Sequence, residues 1–319
     1  MSIASNFSQL SNRTFNYLRL QFADKTLQLA HYYGLGKEDI AIVDNQLHLK
    51  KFNLKIVNDH RGYFLLTGYK YLLLLKEQLQ ATLINDNGTV IIRFNNLELA
   101  IETEADIYVL NEIYIEGVYN FTIPSSCLII DIGLNVGFAS LFFAGNKKVE
   151  KVFSFEPLKP TYAQAQKNLK RNAQQALKIV TYNYGISNKE QTLEIDYSYE
   201  WKGSVGIAGF PSHLQGKVKT EKQLMQLKPI SDVFDIVNAY SENKDIGIKI
   251  DCEGAEYEII PELVLNPNFN KVKFLMIEWH FKGPDALVEQ LTLIGFNCFS
   301  FNPFSKGGGM IYATRITKQ

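Results

Sequence analysis

Cys127-Leu128-Ile129-Ile130-Asp131-Ile132-Gly133-Leu134-Asn135-Val136-Gly137-Phe138 is the stretch whose reading decides the fold. Residues 127–130 are apolar on both faces, as in a strand of a sheet covered on both sides. The run ends on an acid, Asp131, passes through Gly133 and Gly137, and enters a helix predicted to begin near Phe138. Glycines let backbone approach a ligand closely, and a helix start offers free N–H groups. The spacing is Gly-x-x-x-Gly, so the Gly-x-Gly-x-x-Gly dinucleotide fingerprint is absent. No Gly-Lys-Ser/Thr phosphate loop is present either. By itself, the stretch reads equally well as a plain strand-to-helix turn.

Working outward, apolar runs at residues 152–155, 179–182, 246–250, 274–277 and 298–301 alternate with amphipathic helical stretches such as 161–177 and 285–293. Such alternation predicts an α/β fold with a mostly parallel sheet. Residues 310–315 follow the 298–301 run after a short glycine-containing loop. That loop is too short for a parallel crossover, so an antiparallel hairpin is expected at the end of the sheet. Towards the N-terminus the pattern changes. Residues 41–43, 47–49 and 54–57 read as strands, and residues 63–79 and 107–115 as helices. Asp86-Asn87-Gly88, between 81–84 and 90–94, signals a hairpin turn. We therefore expect a mixed α+β region over residues 1–107 and an α/β domain over 108–319.

Bulk properties exclude some classes. Lys and Arg number 33 and Asp and Glu also 33, so no general charge drives binding to nucleic acid or anionic lipid. Cys127, Cys252 and Cys298 show neither metal-ligand spacing nor an even count. The N-terminus lacks a basic start followed by an apolar segment, and no apolar run is long enough to span a bilayer. The expectation is a cytoplasmic chain with no membrane span.

Three further segments carry chemistry. Glu156 ends the apolar run 152–155, and Pro157 keeps it extended. Ligands of open parallel sheets lie outside the carboxyl ends of the strands, where such an acid can accept both hydroxyl hydrogens of a ribose. Loop and acid together indicate a nucleoside site. Next, Ile248-Lys249-Ile250-Asp251-Cys252-Glu253-Gly254-Ala255-Glu256 delivers carboxylates to a strand end and a helix start. Glu256 or Glu258 suits helix capping, whereas Asp251 and Glu253 suit substrate orientation, cation binding or proton transfer. Glu278 and His280 end the following strand, and a histidine there suits activation of a hydroxyl. Tyr199, Trp201 and Phe304, in two glycine-containing loops, are candidate walls of a substrate pocket.

In this order the segments resemble the FkbM-type S-adenosylmethionine-dependent methyltransferase family, over roughly residues 108–315. The segment 249–256 is the most specific part of the likeness. It implies a class I, Rossmann-like, mostly parallel seven-stranded sheet whose last strand is antiparallel. It also implies S-adenosylmethionine as cofactor and S-adenosylhomocysteine as product. The cofactor residues would be Asp131, Gly133, Asn135, Gly137, Glu156 and Pro157, with Gly185 and Ile186 beside the adenine. The acceptor would be a hydroxyl on a sugar, glycan or other small metabolite. Asp251 and His280 are the candidates for activating it, supported by Glu253 and Glu278; which of the two takes the proton is left open. A divalent cation at Asp251 and Glu253 is compatible with the pattern but not required by it. A nucleic-acid methyltransferase would want a basic surface and often an Asn-Pro-Pro-Tyr-like strand end, where this chain has Ile250-Asp251-Cys252-Glu253. A non-catalytic binding module of the same fold is the other alternative. Residues 1–107 match no named family; substrate docking and homodimerisation are the roles open to them.

Overall fold

The computed structural model describes residues 24–123, 125–207, 209, 216–240, 244–302 and 307–316. They form two compact units, one ending at Asn111 and the other beginning at Glu112.

The first unit carries two antiparallel three-stranded sheets. One is β1 (Ile40–Val43), β2 (Gln46–Leu49) and β3 (Leu54–Val57); the other is β4 (Thr82–Asp86), β5 (Thr89–Phe94) and β6 (Leu97–Ile101). The expected hairpin turn lies between β4 and β5, with Asn87 at φ 52° and Gly88 at φ 90°. The helix expected over 63–79 is two helices, Tyr63–Thr67 and Tyr69–Leu79. It breaks at Gly68, where a Cβ would come within 2.7 Å of Ile107 Cδ1, so a side chain there would require Ile107 to move. The last helix starts earlier than expected, at Glu104, because Thr103 accepts from the Asp106 amide while Asp106 accepts from the Thr103 amide. That reciprocal pair is a capping box.

The second unit is built on a seven-stranded sheet of β7 (Cys127–Ile132), β8 (Val149–Phe155), β9 (Ile179–Tyr182), β13 (Asp245–Ile250), β14 (Val272–His280), β15 (Phe296–Phe301) and β16 (Gly308–Arg315). Their order is β15-β16-β14-β13-β7-β8-β9, and β16 pairs antiparallel with both of its neighbours. All other pairings in this sheet are parallel. This is the class I methyltransferase arrangement, with the antiparallel last strand expected from the short hairpin loop. The order reverses between β7 and β13, which places the switch point at the ends of those two strands. Leu128, Ile130 and Ile132 of β7 face one core layer with Ile248 and Ile250 of β13 and Val233 and Ile259 of the covering helices, all buried. Among the described residues, no helix is long and apolar enough to cross a membrane.

A second, smaller sheet was not legible in advance. It consists of β10 (Gly185–Ser187), β11 (Gln191–Tyr197) and β12 (Glu221–Pro229), in the order β10-β12-β11. Its own core joins Leu158 to Ile195, Tyr197, Val205, Met225 and Leu227.

Close packing in the main sheet has a testable consequence at Gly247, which lies opposite Phe274 in register. A Cβ there would meet the Phe274 ring at 2.2 Å, and that ring is stacked on Phe121 with centroids 4.7 Å apart. Overpacking of this kind costs about 1–3 kcal/mol. Gly247→Ala should lower the urea midpoint accordingly; an unchanged midpoint would show that the ring pair can shift freely.

Candidate active site

The site begins with a cross-strand pair. Asp131 of β7 lies opposite Lys249 of β13 in register and opposite Ser154 of β8. On β14 the register partner of Lys249 is Met276, so alternate residues of these strands form one row on one face. Lys249 Nζ stands 3.2 Å from Asp131 Oδ1 and 3.5 Å from Asp251 Oδ2. It also donates to the carbonyls of Ile132 and Gly133. Asp131 accepts from Ser140, whose hydroxyl pairs with that of Ser154 at 2.7 Å. Burial disfavours the lysine's charge, but Asp131 and Asp251 outweigh it and raise its pKa. Asp131 is fully buried and is raised by that burial, against the pull of Lys249.

Above this row the chain turns tightly. Gly133 has φ 90°, and a Cβ there would lie 1.8 Å from the carbonyl oxygen of Asp251. No side chain fits. Asn135 also adopts a left-handed conformation, at φ 49°, and Gly137, at φ 92°, leads into the helix Phe138–Gly145. Glu156, at the end of β8, is buried beside the turn. One of its oxygens accepts from the Asn135 amide at 2.9 Å and the other from the Leu158 amide at 3.0 Å. Burial pushes its pKa up to about 7, although those two N–H groups pull it down.

A cleft of about 620 Å³, counting its open mouth, runs over these strand ends. Gly133, Asn135, Glu156, Pro157, Gly185 and Ile186 line it, as do Asp251 and Glu253. The other two expected cofactor residues lie behind the wall: Asp131 beneath the turn, and Gly137 at the helix start, where a Cβ would lie 3.6 Å from Ala165 Cβ. Tyr199 and Trp201 are exposed, about half and two-fifths respectively, and neither lines the cleft. Their neighbours Lys202 and Gly203 line it instead. Phe304 lies outside the described residues.

Asp251, Glu253 and His280 converge, each offering an atom within 4.8 Å of the others. Asp251 accepts from Tyr119 Oη at 3.2 Å. His280 Nε2 stands 3.5 Å from Glu278 and 3.7 Å from Glu253, while Nδ1 stands 3.3 Å from Glu256. Glu256 also accepts from the amides of Gly254 and His280, so it ties the start of its helix to β14; the helix itself has no side-chain cap. Burial opposes charge on the His280 ring, but Glu256, Glu278, Glu253 and Asp251 overcome it and push the pKa up to about 11. Burial raises Glu253 to about 8 and also raises Glu278, with His280 opposing both shifts. Together these carboxylates favour the protonated, charged form of the ring.

Lys249 and Tyr119 were not singled out from the sequence as site residues. The signal for Lys249 was present: a lysine inside an all-apolar strand must meet buried acids, and Asp131 and Asp251 are in the same motifs. Tyr119 had no such signal, since its contact with Asp251 spans 132 positions.

Sheet order, glycine turn and strand-end acid together define a class I methyltransferase domain. The chain belongs to the FkbM methyltransferase family, whose model, described as Methyltransferase FkbM domain, matches residues 131–296. Over 209 residues it is 25% identical to the methyltransferase sdnD of Sordaria araneosa, covering 58% of this chain and 79% of that one. Over 112 residues it is 31% identical to the AMB antimetabolite synthetase AmbE of Pseudomonas aeruginosa, covering 34% of this chain and 5% of that one. Among solved structures, the methyltransferase FkbM of Methylobacillus flagellatus is similar at 14% identity and a TM-score of 0.40, covering 80% of this chain and 61% of that one.

The raised pKa of His280 fixes a sign. Its stabilising effect is fully present below the unfolded value near 6.5 and is lost as pH rises towards 11. His280→Gln should therefore destabilise the protein more at pH 6 than at pH 10. Imidazole nitrogen NMR at pH 8 should show both ring nitrogens protonated; a neutral ring there would contradict the arrangement.

Proposed function

We propose that this chain is an S-adenosylmethionine-dependent O-methyltransferase acting on a hydroxyl of a sugar, glycan or other small metabolite. The observation that carries the reading is Glu156: a buried carboxylate beside a glycine turn, held by the amides of Asn135 and Leu158. Each carboxylate oxygen has a second lone pair, so a hydroxyl pair can still be accepted. The donor set around it suits the rest of the cofactor. Leu158, Ile186 and Leu227 line an apolar stretch suited to a planar base, and Asp251 and Glu253 supply carboxyl acceptors beyond the turn.

When bound, the cofactor supplies an electrophilic methyl group on a sulfonium. The protein then has to orient an acceptor oxygen and take its proton. We assign proton acceptance to Asp251, which faces the cleft and is held by Tyr119 Oη and the Lys249 ammonium. His280, charged, orients Glu253 and Glu278 rather than serving as the base. A divalent cation among Asp251, Glu253 and His280 is compatible with their donors once the ring is deprotonated, but the reading does not depend on one. Equal numbers of basic and acidic residues favour a small acceptor over a nucleic acid. Free Cys127, Cys252 and Cys298 suit a reducing compartment such as the cytoplasm. For the first unit we keep acceptor docking or homodimerisation.

Titration calorimetry with S-adenosylhomocysteine tests the cofactor assignment. Glu156→Ala removes hydrogen bonds to a charged acceptor, worth about 1.5–3 kcal/mol, so affinity should fall by about 10–100-fold. Binding should also strengthen as pH rises through about 7, where Glu156 loses its proton. Tight binding that Glu156→Ala leaves intact would sink the ribose assignment. Transfer of a labelled methyl group to a panel of sugar and metabolite hydroxyls, with loss of turnover in Asp251→Asn, tests the reaction itself.

A further inference from the structure

We infer that the second unit holds a further small-molecule site: an aromatic chamber behind Tyr119 that takes a neutral, ring-shaped ligand and is separate from the cleft. A cavity of about 250 Å³ lies between β14 and the last turn of the helix Phe138–Gly145. Tyr119, Phe121, Phe142, Phe143, Phe274 and Met276 line it, and the cleft shares none of them. That helix starts at the carboxyl end of β7, where the cleft lies, and so finishes towards the amino ends of the strands. The chamber is therefore entered from the other end of the sheet. Gly145, Asn146 and Asn120, all exposed, form its mouth. Tyr119 stands between the two sites: it lines the chamber, and its hydroxyl reaches Asp251 of the cleft at 3.2 Å.

The chamber follows from the register of the sheet. Phe274, Met276, Glu278 and His280 alternate to one face of β14, the face that also holds Lys249. Glu278 and His280 meet each other in the acidic cluster, whereas Phe274 and Met276, nearer the amino end, reach the chamber. The other walls are rings packed on one another. Phe121 stacks on Phe274 with centroids 4.7 Å apart, and Phe143 meets Phe142 at 5.7 Å and Tyr119 at 5.8 Å.

These walls select the chemistry of the ligand. Among the described residues that line the chamber none is charged, so an ion entering it would lose hydration without gaining a partner. Several hydrogen-bonding groups there are already engaged. Tyr119 Oη donates to Asp251, Asn146 Oδ1 accepts from the Lys148 amide, and the amides of Asn120, Phe121 and Asn146 donate to nearby carbonyls. A buried water needs about 2–4 polar partners, and the apolar floor offers few. An apolar-walled cavity of about 150 Å³ is enough to take benzene, and this one is larger. Ring faces and edges, with the Met276 thioether beside them, favour another ring over an alkyl chain. Such a ring would rest on the same tyrosine that holds Asp251.

Methionine methyl NMR separates the two sites, because Met276 lines the chamber and Met225 lines the cleft. On the full chain with isotope-labelled methionine methyls, indole should shift the Met276 signal saturably, give nuclear Overhauser contacts to it, and leave Met225 and Met310 in place. Indole-3-carboxylate, the same ring with a charge, should bind at least about tenfold more weakly. Phe142→Ala removes one ring from the wall and should weaken indole by about 2–10-fold. Native positions of the Met225 and Met310 signals serve as the control for its folding. The inference is overturned by the lack of a saturable response at Met276, by equal binding of the charged ring, or by unchanged affinity in folded Phe142→Ala. Contacts from the Met276 methyl to another segment of the chain, or to a second copy, overturn it too. S-adenosylhomocysteine should instead shift Met225, and failure there overturns the cofactor reading alone.

Discussion

The ammonium of Lys249 is the tie on which the rest of the site depends. Two carboxylates, Asp131 and Asp251, and two carbonyls, of Ile132 and Gly133, converge on it in the space between β7 and β13. Taking an ion out of water costs several kcal/mol, and only a full set of partners offsets that. The set is nearly complete before any ligand arrives. It draws the two strand ends together until the Asp251 carbonyl reaches Gly133, and this is why that position must be glycine. One buried charge thus determines the tight turn, the orientation of Asp251 and the floor of the cleft.

Around it the balance of charge is acidic. Asp251, Glu253, Glu256 and Glu278 face one imidazolium and one ammonium. Such a cluster cannot be fully ionised, and the raised pKa values of Glu253 and Glu278 show where protons are retained. Glu256 is absorbed by the amides of Gly254 and His280. Asp251 remains, partly exposed to the cleft and held from two sides. The division of labour among these acids follows from burial and partners, not from residue type.

Much of this was legible in the sequence because it is local. Strands apolar on both faces, a glycine turn after the first of them and acids at strand ends are features of short segments, and they gave the main sheet and most of the cleft wall. The antiparallel end of the sheet followed from the short loop between β15 and β16. What escaped depends on long-range placement. The β10-β12-β11 sheet pairs segments separated by an irregular stretch, so no single window revealed it. Tyr119 reaches Asp251 from far along the chain. The aromatic residues Tyr199 and Trp201 drew attention to the right loop, but their rings face solvent and the lysine beside them faces the cleft. The charge of His280 could not be inferred from its identity, since it is set by four acids drawn from two segments.

The position of β16 has a consequence for how the protein is made. β16 is inserted between β15 and β14, opposite Glu278 through Met310 and opposite His280 through Gly308. Until residues 308–315 have been synthesised, β14 is an open edge whose unpaired N–H and C=O groups can recruit any passing strand. A nascent chain halted after β15 would hold every acid of the site and still lack the backbone paired with Glu278 and His280. Assembly of this half of the sheet therefore waits on residues 308–315, and until they arrive the β14 edge lacks its native partner.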